Sequence, residues 1–295
     1  MKPKGKKTGF TIIELLTVMS IIVILLSLLL PSLNKVRQYA KFVTQKNQLR
    51  NIDSGLQAFE ADFKELPDSG ALDADNAQYC GAMKLAEAMA GQDGLGFHSD
   101  SKFKADDGAG PTELYPPSPG APGSWPAWYI ENLRKRREYL EAKDVQICSL
   151  QDLYGSSVGG GFTRTDQVAL LCDVYKRSNL KKPATGEKLG MPILYYKADS
   201  SKLVHDVNNP DDAGNIYNYK DNHLLLKLGL PWDQATKPPL YQVTGGLEGQ
   251  VFYEKTLDKS VLPIERPHNK DSYILISAGW DGIYGTADDV FNFAQ

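Results

Sequence analysis

Gly9-Phe10-Thr11-Ile12-Ile13-Glu14-Leu15-Leu16 decides how this chain is read. Lys2, Lys4, Lys6 and Lys7 precede it, and an apolar run then continues to Leu30 with Glu14 as its only charge. About 20 such residues cross the hydrocarbon of a bilayer as a helix. A carboxylate in that setting is among the costliest of side chains and needs an opposite charge. A cut after Gly9 supplies one, the new α-amino group of Phe10. An ordinary secretory signal has an apolar core of about 7–15 residues followed by a small-residue cleavage site, and neither feature is present. A plain single-pass anchor explains the length of the run but leaves Glu14 and the Gly9-Phe10 junction without a purpose.

The stretch Lys4-Gly5-Lys6-Lys7-Thr8-Gly9-Phe10-Thr11-Ile12-Ile13-Glu14-Leu15-Leu16 resembles the signal of type IV pilins and type II secretion pseudopilins. The resemblance implies that a prepilin peptidase cuts after Gly9 and methylates Phe10. It implies that Glu14 pairs with the terminal amine of a neighbouring subunit, and that Pro31 is the helix-loosening proline found in many pilins. It also implies an N-in orientation. Charge alone does not fix this, because Lys35, Arg37, Lys41 and Lys46 follow the span as the leader lysines precede it.

Beyond the membrane segment, apolar residues recur at Leu33, Val36, Ala40, Val43, Leu49, Ile52, Leu56, Phe59 and Phe63. Spacings of three and four predict that the helix continues as an amphipathic one until Leu66-Pro67-Asp68 stops it. Unbroken from residue 10, it would span roughly 80 Å. Pro31 removes a backbone donor and is expected to kink or locally melt it, and Gly55 reads as a second soft spot. The resulting division is a leader (1–9), a transmembrane and assembly helix (10–31), its amphipathic continuation (32–66) and a globular head (67–295).

At 42% hydrophobic residues the chain has enough apolar mass for a core. Removing the four leader lysines leaves 29 basic against 36 acidic side chains, a net charge of −7. Nucleic acid is therefore not an expected partner, since phosphate binding needs a basic surface. Cys80, Cys148 and Cys172 lack metal-ligand spacing; one disulfide and one free thiol is one arrangement, with the pairing open. Residues 76–91 read as a second helix, 108–126 as an irregular Pro/Gly loop, and 130–138 as a short helix whose Arg134-Lys135-Arg136-Arg137 run forms a solvated face. Strands are expected at 193–196, 250–253 and 273–277, and a helix over 215–228. Gly159-Gly160-Gly161 reads as a flexible loop.

A second informative stretch closes the chain: Ser277-Ala278-Gly279-Trp280-Asp281-Gly282-Ile283-Tyr284-Gly285-Thr286-Ala287-Asp288-Asp289. Calcium takes six to eight oxygen ligands, drawn from carboxylates, carbonyls and water. Asp281, Asp288 and Asp289 are candidates to converge on one ion, with the glycines permitting the turns. The plain alternative is a metal-free turn in which Asp and Gly serve turn chemistry. The pattern resembles the C-terminal calcium loop of the type II secretion major pseudopilin. That resemblance implies Asp281, Asp288 and Asp289 as side-chain ligands of a structural Ca2+, with backbone near residues 276–279 contributing, although the loop departs in length from some members.

No catalytic motif appears, and His98, His205, His223 and His268 stand without partners at motif spacing; an enzyme is not expected. The head exceeds the compact head of a major pseudopilin, so residues 91–242 read as an insertion. Residues 87–97, 186–196 and 217–229 resemble large-headed pseudopilin-like proteins. The expected fold is α+β, a long N-terminal helix packed on an antiparallel sheet with inserted helices and loops. The expected role is a non-catalytic fibre subunit of the inner membrane, its head in the periplasm. Its partners would be copies of itself, other pseudopilins, the prepilin peptidase and an inner-membrane assembly platform. The alternative is an anchored glycan-binding or adhesion module using Trp125-Pro126-Ala127-Trp128-Tyr129.

Overall fold

Helix α1 (Ile12–Phe63) is a single helical element through position 31. A proline removes one donor and leaves the bonds on either side in place, which apolar helices tolerate. The expected break there is thus absent. Lys64 in the left-handed region (φ 65°) ends the helix three residues before Pro67. The computed structural model describes residues 9, 11–106, 113–121, 123–141, 143–155, 158, 161–162, 168–241, 246–261 and 265–293. It divides into two units, residues 1–43 and 44–295. The described part of the first is α1 alone before Thr44, and none of its most apolar window is buried.

In the second unit, α1 is followed by α2 (Gly81–Ala90), β1 (Phe97–His98), α3 (Ala127–Arg134), β2 (Arg136–Arg137), β3 (Gln146–Ser149), α4 (Leu150–Tyr154), β4 (Ala169–Cys172), β5 (Leu194–Lys197), α5 (His223–Lys227), α6 (Gln250–Thr256), β6 (Tyr273–Ser277) and β7 (Val290–Phe291). The strands form small antiparallel sheets ordered β1-β2, β3-β4 and β5-β6-β7. A bridge between Cys172 and Pro192, with Ile193 N–H donating to Leu171 O at 2.7 Å, knits β4 to the segment entering β5.

Alternation along these strands builds two cores. Leu170, Cys172, Leu194, Tyr196, Ile274, Ile276 and Phe291 join Leu225, Leu226, Phe252 and Tyr253 on one side. Leu171, Ile193, Tyr195, Leu275 and Val290 join Leu49, Ile52, Leu56 and Phe59 of α1 on the other. The amphipathic half of α1 is therefore one outer layer and the added helices the other, giving the expected α+β fold. Polar contacts fix the helix on the sheet. Gln48 Nε2 donates to Cys172 O at 3.0 Å, and Lys46 Nζ donates to the carbonyls of Phe291 and Phe293 at 2.7 and 2.8 Å. Gly55 is a close-approach site rather than a soft spot: a Cβ there would stand 2.8 Å from both Met89 Sδ and Tyr139 O.

Several local expectations fail for identifiable reasons. Residues 250–253 begin α6, not a strand; an apolar run that short carries no decisive period. The helix expected from 76 starts at Gly81, because Asn76 is left-handed (φ 61°) and Leu72 bridges Gln78. Residues 215–228 form a 3-10 turn (Tyr219–Asn222) and then α5. The basic run leaves α3 at Arg134 and enters β2. There the Arg136 side chain is only 1% exposed and pairs with Asp93 at 2.5 Å, so the four cations do not share one solvated face. Part of the 108–126 loop, and Gly159-Gly160, lie outside the described residues. Cys148 and Cys172 form the disulfide, across the β3-β4 pair. Cys80 is free and buried, and burial pushes its thiol up to about 11.

Three buried acids sit deep in this unit. Burial raises Glu87 to about 7, Asp221 to about 7 and Asp173 to about 6. Glu87 stays anchored by Tyr79 Oη and Ser101 Oγ, each donating at 2.5 Å. An acid with a raised folded pKa stabilises fully below its unfolded value near 4, and that contribution is lost as pH rises through the folded value. The melting temperature is therefore expected to fall between pH 5 and pH 8. Glu87→Gln is expected to flatten that slope, by roughly 1–3 kcal/mol over the window. A melting series in which wild type and variant have parallel pH profiles would contradict this assignment.

Candidate functional site: the amino-terminal signal and the carboxyl-terminal loop

Gly9 is exposed, while Phe10 lies outside the described residues. Thr11 stands at the N-cap position of α1, and Glu14 is the third helical residue. The two form a reciprocal capping box. Glu14 Oε2 accepts from Thr11 N at 2.9 Å and from Thr11 Oγ1 at 2.6 Å, while Glu14 N donates to Thr11 Oγ1 at 3.3 Å. The acid thus has hydrogen-bond donors within its own chain, although none that carries a charge. The pattern Thr-x-x-Glu was visible in the sequence and was passed over. Further along, Thr17, Ser20, Ser27 and Ser32 each donate to the carbonyl three residues earlier, at 2.7–2.9 Å. The segment hides its hydroxyls, as hydrocarbon requires.

At the other end, β6 feeds a loop that turns back into β7. Gly279 (φ 64°) and Gly282 (φ 71°) take the left-handed conformations that the turns demand. Asp281 and Asp288 come together: Asp281 N donates to Asp288 Oδ2 at 2.8 Å, and Thr286 Oγ1 donates to Asp288 Oδ1 at 2.5 Å. Burial raises the Asp281 carboxyl. Burial acts on Asp288 too, but the Thr286 hydroxyl and the Asp281 N–H outweigh it and hold Asp288 down. Asp289 does not join them. Asp289 accepts instead from Gly285 N at 2.8 Å and faces Lys255 Nζ at 3.7 Å. Burial raises it to about 7, and its Oδ1 is buried without a hydrogen-bond partner.

Among the described residues, no three or more His, Cys, Asp or Glu side chains gather in a way that would hold a metal. The donor chemistry fits calcium in kind, since all donors are oxygens. In arrangement, two of the three expected carboxylates meet. Asp173, which was not singled out in the sequence, underpins the loop from below: Ser277 Oγ donates to its Oδ2 at 3.0 Å.

Residues 4–30 match the prokaryotic N-terminal methylation motif. The chain carries a type IV pilin-like prepilin signal. That signal marks a substrate of prepilin peptidase, of the kind that assembles into pilin-type fibres. With the long apolar helix, it fits a membrane-anchored protein. The match ends before the head begins. No curated protein and no solved structure matches the chain.

The aromatic segment is sorted by burial. Tyr129 is fully buried between Trp125 and Trp128, with ring centroids at 5.2 and 5.7 Å, and Trp128 is 58% exposed. The histidines are placed separately. His205 Nε2 lies 2.9 Å from Tyr253 O, His223 Nε2 lies 3.0 Å from Glu248 Oε1, and His268 stacks on Phe293.

Proposed function

We propose that this chain is a pseudopilin: a non-catalytic subunit stored in the inner membrane, cut after Gly9, and polymerised through α1 into a type II secretion or type IV pilus-like fibre. One observation carries the reading. In the apolar half of α1, from Ile12 to Leu33, none of the side chains whose burial is described is buried. A helix apolar on every side is stable only in lipid or among other helices. The prepilin signal on the same segment supports both environments in turn, first the membrane and then the packed core of a fibre. In this account the Thr11 box holds Glu14 before assembly, and the methylated amine of a neighbour's Phe10 replaces it as partner afterwards. The amine brings a full opposite charge, adding a Coulombic attraction that the Thr11 donors lack, so the exchange favours docking.

The head then lies in the periplasm, and the further partners are other pseudopilins and an inner-membrane assembly platform. Calcium is proposed as a structural ion held by Asp281 and Asp288, with Asp289 on the inner side of the loop. Its chemistry would be to neutralise paired carboxylates and brace the turn. A second reading, an anchored glycan-binding module, is favoured only by the exposure of Trp128. That reading needs neither Glu14 nor polymerisation.

Glu14→Ala is expected to leave membrane insertion and cleavage intact and to abolish fibres, scored by shearing and electron microscopy of expressing cells. Fibres of normal abundance from the variant would rule out the pairing role. For calcium, a chelator is expected to lower the melting temperature of the purified chain by a few degrees, as a bound ion contributes by mass action. Asp281→Asn is expected to remove that response. A chelator-insensitive melt in wild type would remove calcium from the account.

A further inference from the structure

The middle region was read as an insertion of no assigned purpose, yet it touches the carboxyl-terminal loop at several points. Arg177, from the segment after β4, donates through Nη2 to the carbonyls of Trp280 at 2.9 Å and Gly279 at 3.4 Å. Its guanidinium lies over the Trp232 ring, 4.9 Å from the centroid. The loop is shaped around it: a Cβ on Gly282 would fall 2.1 Å from Arg177 Cζ, inside the space the guanidinium fills. Leu240 N–H donates to Tyr284 O at 3.1 Å and pins the loop's far side. From α6, Lys255 Nζ donates to Thr286 O and stands 3.7 Å from Asp289 Oδ2.

We infer that Arg177 and Lys255 are the loop's built-in counter-charges, so that it folds onto the head with its own side-chain cations and a divalent ion adds to an arrangement already formed. Backbone carbonyls are oxygens that calcium would draw upon. Here those of Gly279, Trp280 and Thr286 are engaged by a guanidinium and an ammonium. Arg177 reaches the two adjacent carbonyls through one nitrogen, Nη2, and brings a charge fixed to the chain. The charges sum sensibly as well. Asp173, Asp281 and Asp288 all act on the Arg177 charge, and Asp289 lies beside Lys255. A cation tethered to the chain also costs less ordering entropy than one captured from solution.

The inference rests on the reading of 277–289 as the ordered end of the head, not on calcium. Failure of the chelator melt would remove the ion and leave Arg177 and Lys255 in place. The test is hydrogen exchange by mass spectrometry on the full chain in detergent micelles with excess chelator, comparing peptides across 278–289 with peptides across 194–197. Wild type is expected to keep the loop protected. The Arg177→Gln/Lys255→Gln double variant is expected to exchange there about tenfold faster or more, with 194–197 unchanged. Arg177→Lys, which keeps the charge but reaches one carbonyl, is expected to fall between. If the double variant does not fold, Arg177→Gln and Arg177→Lys decide alone. Loop protection in the variants equal to wild type, or wild-type protection lost on chelation, would overturn the inference.

Discussion

One helix has to satisfy two environments. From Ile12 to Leu33 the described side chains of α1 are exposed, whereas Leu49, Ile52, Leu56 and Phe59 are almost wholly buried against the sheet. The second half determines where the sheet lies and which face of each strand is apolar on that side. The first half requires something outside the chain. A polypeptide that placed the same apolar surface against its own head would gain burial and lose any reason to associate. An exposed apolar segment of this kind fits a membrane-anchored protein.

Glu14 sharpens that requirement without creating it. In the single chain Thr11 already supplies it with two hydrogen bonds, which lowers the cost of keeping an acid at the head of an apolar helix.

The legible parts of the chain were those governed by short-range rules. The apolar run, the three-and-four spacing beyond it and the strand at 273–277 all follow from period and composition, while the helix ends at Phe63, ahead of the Pro67 stop. The turn glycines Gly279 and Gly282 were equally plain, since only positive φ explains their placement. Long-range partners were not legible. Nothing near Arg177 in sequence points to Trp280, nor does anything near Cys148 select Cys172 over Cys80. The run at 250–253 failed because four residues fit a helix turn and a strand equally well; in the helix Phe252 packs beside Tyr196 and Tyr217 in the core. The three aspartates were expected to converge, but Asp289 is taken by Gly285 N and Lys255.

The large head is then easier to understand. Its middle region covers the second face of the sheet with Leu225 and Leu226 and sends Arg177, Trp232 and Leu240 to the loop that ends the fold. All of this organises a carrier for an apolar helix that remains incomplete until it is processed and packed. Intact mass spectrometry with amino-terminal sequencing of the polypeptide from its native membrane tests that directly. The account predicts a chain beginning at Phe10 and bearing one added methyl group. A chain still beginning at Met1 with its lysines attached would contradict it, because the amine that Glu14 is to meet would not exist.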